Sequence, residues 1–82
     1  MNKHDKRLAK LAGQITTFPW RDVEAVMASL GYKQHEMAGS RVRFFHPQTG
    51  HMIRLHRPHP SNELKGGALR DLRNSLKQEG YL

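Results

Sequence analysis

Arg41-Val42-Arg43-Phe44-Phe45-His46, Pro47-Gln48-Thr49-Gly50 and His51-Met52-Ile53-Arg54-Leu55-His56 are the consecutive stretches that decide how this chain folds. The first alternates basic and apolar residues over its first four positions, as a half-buried strand does. The second is a turn sequence, and the third returns as a partner strand. With the four turn residues as the loop, His46 faces His51, Phe44 faces Ile53 and Val42 faces Leu55. Directly opposed residues of an antiparallel pair share a face. Val42, Phe44, Ile53 and Leu55 therefore gather on a core face. The other face carries Arg41 opposite His56, Arg43 opposite Arg54, and Phe45 opposite Met52. A slip of one residue would scramble this separation.

On the N-terminal side, Tyr32 to about Glu36 reads as a short strand, and Ala38-Gly39-Ser40 as the turn into the hairpin. Before it, Pro19 suits the first turn of a helix, where a missing N–H costs nothing. Trp20, Val23, Val26, Met27 and Leu30 follow at spacings of three and four, the pattern of one buried helical face. Gly31 is placed to cap that helix. Residues 1–15 read as an additional basic helix with Leu8, Leu11 and Ile15 on a weak apolar edge. Whether it docks is left open by the pattern. On the C-terminal side, Arg57-Pro58-His59-Pro60 cannot continue a central strand, and a loop runs through Ser61 and Asn62. The last helix begins near Gly66 or Gly67, places Ala68, Leu69, Leu72 and Leu76 on one face, and stops at Gly80. The expected fold is α+β, in one domain spanning residues 1–82: helix, three-stranded antiparallel meander, helix, with the extra helix in front. Helices on one side of the sheet leave its other side open to solvent.

Composition narrows the function. Fourteen Lys and Arg against seven Asp and Glu give a formal charge of +7 on 82 residues, which attracts polyanions. No segment combines a basic face with a large apolar one, so a membrane-surface role is not expected. The first ten residues hold only Leu8 and Ala9 as apolar positions after Met1 and do not resemble a signal peptide. The cytoplasm is the expected compartment. There is no cysteine, hence neither a disulfide framework nor a thiolate metal site.

The six histidines do not suggest a metal centre. His56 and His59 are separated by Pro58 with no carboxylate in that stretch, and His46 with His51 would make only a two-ligand site, whereas zinc takes three or four converging ligands. No cofactor is expected. GxSxG, GxxxxGK[ST] and GxGxxG are all absent. Gly66-Gly67 is compatible with a phosphate approaching a helix N-terminus, and equally with a tight turn. The open sheet face is the more informative feature. Arg41, Arg43 and Arg54 supply phosphate donors, His56 supplies a group that titrates near neutrality, and Phe45 and Met52 offer surfaces on which a base stacks. Solubility alone would also be served by such arginines, but three crowded guanidiniums repel one another unless an anion joins them.

Several motifs, in order, resemble the HicA toxins: Trp20-Arg21-Asp22-Val23 through Leu30-Gly31, Gly39-Ser40 before an alternating strand, His46-Pro47-x-x-Gly50, and Glu63-Leu64-Lys65-Gly66-Gly67-Ala68-Leu69-Arg70. The similarity runs from about Pro19 to Gly80. It implies a fold like a double-stranded-RNA-binding domain and a toxin of a type II toxin–antitoxin pair. Such a toxin cleaves mRNA without a metal and is silenced by a HicB antitoxin that covers the active site. The family's Gly-Ser turn is followed by a histidine regarded as catalytic. Here Gly39 and Ser40 match, but Arg41 occupies the histidine's position.

The hairpin register offers a substitute, because it sets His56 across from Arg41 on the open face. His56 and Arg41 are thus the candidate catalytic residues, with His59 and His46 as second choices. Gly39, Ser40, Arg43, Phe45, Arg54 and Lys65 are the expected RNA contacts. Two alternatives to a ribonuclease remain: a module that binds RNA without cutting it, and a domain whose basic face meets an acidic protein.

Overall fold

The computed structural model describes residues 2–82. Its elements are α1 (Lys3–Ala12), β1 (Thr17–Pro19), α2 (Trp20–Ser29), β2 (Lys33–Glu36), β3 (Arg41–Phe45), β4 (Met52–His56), β5 (Glu63–Lys65) and α3 (Gly66–Gln78). β2, β3 and β4 form an antiparallel sheet in that order. The register between β3 and β4 pairs Arg41 with His56, Val42 with Leu55, Arg43 with Arg54, Phe44 with Ile53, and Phe45 with Met52. The expected hairpin is therefore present, residue for residue, within the helix, three-strand, helix order.

Burial follows the alternation. Val42, Phe44, Ile53 and Leu55 join the core with Trp20, Val23, Val26 and Met27 of α2 and Leu69, Leu72 and Leu76 of α3. A fully buried side chain of this size contributes about 1.5–3 kcal/mol through removal of apolar surface from water. Gly31 ends the α2 region at φ +98°. Its N–H donates to the Ala28 carbonyl and that of Tyr32 to the Met27 carbonyl, the paired bonds that close a helix when a glycine takes the left-handed region. The same pair of bonds recurs after α3, from Gly80 to Lys77 and from Tyr81 to Leu76.

α1 is docked. The Asn2 side chain accepts from the Asp5 N–H at its start, and Leu11 is fully buried. Arg73 of α3 donates to the carbonyls of Leu11 at 2.9 Å and Ile15 at 3.3 Å. The first bond satisfies an oxygen that the helix end leaves without an intrahelical partner, and the second holds the segment that follows. An ion pair from Arg7 to Asp22 at 3.3 Å ties the same helix to α2.

A second, two-stranded ribbon was not expected from the sequence. β1 and β5 pair antiparallel with Phe18 opposite Leu64, and both side chains are buried. Pro19 accordingly stands before the helix as its N-cap rather than within its first turn. Glu63–Lys65, left unassigned between the expected loop and the last helix, form β5. At the far end of the sheet, the Tyr32 hydroxyl and His51 Nδ1 share a hydrogen bond at 2.6 Å. Burial, with the nearby Tyr81 and Glu79 adding to it, pushes that hydroxyl up to about 12.

Candidate nucleic-acid interface

The sheet face turned away from the helices is built by three strands. Registers across β2, β3 and β4 order its side chains in rows: His35, Arg43 and Arg54 in one, Lys33, Phe45 and Met52 in the next. Arg41 and His56 form the third row. Gln34 and Glu36, the alternate positions of β2, point to the opposite side. There Gln34 donates to Glu24 of α2 at 2.7 Å and Glu36 pairs with Arg57. The face thus carries Lys33, Arg41, Arg43 and Arg54 and no carboxylate at any of its register positions.

The local geometry aims these groups at a shared space. Met37, Arg41, Arg43, Arg54 and His56 border a shallow hollow of about 430 Å³. Arg41 is oriented by the preceding turn: its Nε donates to the Ala38 carbonyl at 3.2 Å. The turn is itself closed by the Met37 N–H on the Arg41 carbonyl at 2.9 Å. Gly39 and Ser40 lie in it, and the Ser40 carbonyl accepts from the Arg57 N–H at 2.7 Å. Arg43 is half-buried, and its Nε is shielded from solvent without a hydrogen-bond partner. A buried donor left unpaired costs free energy that an acceptor would recover. Among the described residues, side-chain hydrogen bonds engage neither His35 nor His56.

The remaining candidates fall into two groups. His56 also borders a second hollow of about 340 Å³ together with His59, Lys65 and Ala68, so His59 and Lys65 flank the first hollow from the β5 side. His46 stands apart. It is 5% exposed, its Nε2 lies 3.0 Å from the Leu30 carbonyl, and its Nδ1 accepts from the N–H groups of Gln48 and Thr49 at 3.2 and 3.3 Å. A carbonyl only accepts and an amide N–H only donates, so this ring is the neutral Nε2–H tautomer with both nitrogens engaged. Its work is to join the hairpin turn to the end of α2. Phe45 is half-buried rather than exposed, while Met52 is 38% exposed.

His35, Lys33 and Met37 belong to this face or its border and were not among the residues singled out from the sequence. β2 reads Lys-Gln-His-Glu, polar at every position and exposed throughout. No apolar alternation tells its two faces apart, and only pairing through the Ala38-Gly39-Ser40 turn assigns them. Among the described residues, no three His, Cys, Asp or Glu side chains come together as a metal-binding group. No described helix is long and apolar enough to cross a membrane.

Comparison with known families matches residues 20–81 to the family described as HicA toxin of bacterial toxin-antitoxin. No curated protein and no solved structure matches the chain.

Proposed function

The chain belongs to the HicA toxin family, which its match covers from α2 to the C-terminal residues, and from that premise we propose that it is a metal-independent endoribonuclease that cleaves mRNA on the open sheet face. The observation that carries this reading is a solvent-facing imidazole, His56, opposite Arg41 on a cationic surface without carboxylates. Cleavage of RNA needs no group beyond those a protein supplies. A base takes the proton of the 2′-OH, the 2′-oxygen bonds to phosphorus, and the bond from phosphorus to the 5′-oxygen breaks as that oxygen is protonated. The products are a 2′,3′-cyclic phosphate and a 5′-hydroxyl. His56 serves one proton transfer. Arg41, Arg43 and Arg54 hold the phosphate and neutralise charge that grows on its oxygens. Phe45 stacks a base, and Gly39, Ser40 and Lys65 contact the backbone from either side of the hollow.

In the cytoplasm this activity is held in check by a HicB-type antitoxin seated on the same face. Expression of the chain alone in bacteria arrests growth with loss of mRNA, and His56→Ala lowers cleavage by the purified protein at least about 100-fold, the lower end for a general acid or base. Undiminished cutting by that variant removes His56 from the reaction. Arg41 at the family's histidine position favours a second reading, RNA binding without cleavage. Salt-dependent binding by wild-type protein that leaves RNA intact selects it.

A further inference from the structure

Metal-free cleavage at phosphorus requires two proton transfers, and His56 accounts for one. We infer that His35 is the second proton-transfer group, so that two histidines on the outer strands bracket a phosphate held by the arginines between them. This inference rests on the ribonuclease reading given above.

The register carries the argument. His35 pairs with Arg43, and Arg43 pairs with Arg54. His56 pairs with Arg41, one same-face step along β3. The two histidines therefore stand two strand spacings apart, about 9.6 Å, and are offset by two residues along the strand, about 6.8 Å. Between them lie Arg41 and Arg43, and the Arg43 Nε has no hydrogen-bond partner among the described residues. An in-line displacement has its entering and leaving oxygens on opposite sides of phosphorus. Its base and acid must approach from opposite sides too, each at a hydrogen-bond distance of about 2.8 Å from its oxygen. Imidazoles carried on β2 and β4 stand on opposite sides of the β3 arginines, the arrangement that requirement asks for.

The surroundings of His35 fit the role. β2 is an edge strand of the sheet, and His35 on it is exposed. On the open face, Lys33 lies on its own strand and Arg43 is opposite, with Arg41 and Phe45 diagonal across β3. His56 has Arg54 on its own strand and Arg41 across from it. On the β5 side, His56 shares its hollow with Arg57, His59, Glu63 and Lys65. The charged register neighbours of both histidines on the open face are cations, which attract the phosphodiester that the histidines would serve. One ring begins neutral and accepts the 2′-OH proton. The other begins protonated and gives its proton to the 5′-oxygen. Proton exchange through water then restores the pair.

The test compares wild-type, His35→Ala, His35→Gln and His56→Ala proteins on an RNA oligonucleotide, with rates followed from pH 5 to 9. A matching oligonucleotide carries sulfur in place of the bridging 5′-oxygen, a leaving group that departs without protonation. His35 is exposed and engages no side-chain hydrogen bond, so unchanged thermal unfolding is expected for its variants. Each His35 variant is expected to lose about 100-fold or more in rate and one limb of the bell-shaped pH profile. Recovery on the sulfur substrate marks His35 as the acid. Loss of the opposite limb without recovery marks it as the base. A His35 variant that cuts at the wild-type rate overturns the inference, as does a slow variant that keeps both limbs and gains nothing from sulfur. With His56→Ala inactive, either overturning result leaves the ribonuclease reading standing. Wild-type protein that cuts no RNA removes both.

Discussion

His46 and His56 are ten residues apart on the same hairpin and have opposite fates. One is pinned between a helix-end carbonyl and two turn amides, while the other faces solvent beside Arg41. Period-two alternation separates them, since positions 42 and 44 point inward on β3, with 46 continuing that set just past its end, and 54 and 56 point with the outward set on β4. Replacing His46 by Ala removes a buried ring and strands the Leu30 carbonyl with two N–H groups. A loss of roughly 2–4 kcal/mol of stability is expected, measurable by urea unfolding. RNA binding by the remaining folded fraction should be unchanged. Nothing in the residue type distinguishes these two histidines. Their surroundings were legible in the sequence only through the register, and the Leu30 carbonyl that His46 Nε2 meets lies sixteen residues upstream, at a helix end that no strand pattern specifies.

At the scale of elements, the sequence was clearest where apolar periodicity was strong. α2, α3 and the β3–β4 hairpin each bury one face, and each could be read from spacing. β2 lacks that contrast because Lys33, Gln34, His35 and Glu36 are all polar, so its outward pair, with His35, emerged only from its partner strand. The β1–β5 ribbon was invisible for a different reason. Three-residue strands carry too little pattern, and Phe18 and Leu64, which hold it together, are far apart along the chain. α1 was recognisable as a helix, but its docking depends on Arg73, a charged residue on another helix. Removing the Arg73 donors with Arg73→Met should cost about 1–2 kcal/mol. Amide hydrogen exchange should accelerate through residues 3–12 well before it does in α2 or α3.

Across the whole molecule, cations and carboxylates are interspersed on the helices but not on the open face. The described carboxylates whose contacts are given above, Asp22, Glu24, Glu36 and Glu79, pair or pack away from the open face, which keeps four cations unopposed. If all four meet phosphates of single-stranded RNA, log affinity should fall against log salt with a slope of about −3, at roughly −0.7 per contact. Arg54→Ala should flatten it by about 0.7, a change that titrations between 50 and 300 mM salt would resolve. A flat response would point to a protein partner for this face.

The open face gathers four cations with no carboxylate among its register positions. Eight Lys and Arg on the three helices share their surface with four Asp and Glu, so a polyanion meets its least compensated positive charge over the sheet. A long polyanion is attracted to that uncompensated cluster before contact, which favours encounters with the open side. Fewer collisions are then wasted on the helical side. Added electrolyte should therefore slow arrival more than it hastens departure, so capture of a passing strand depends on how far that attraction reaches.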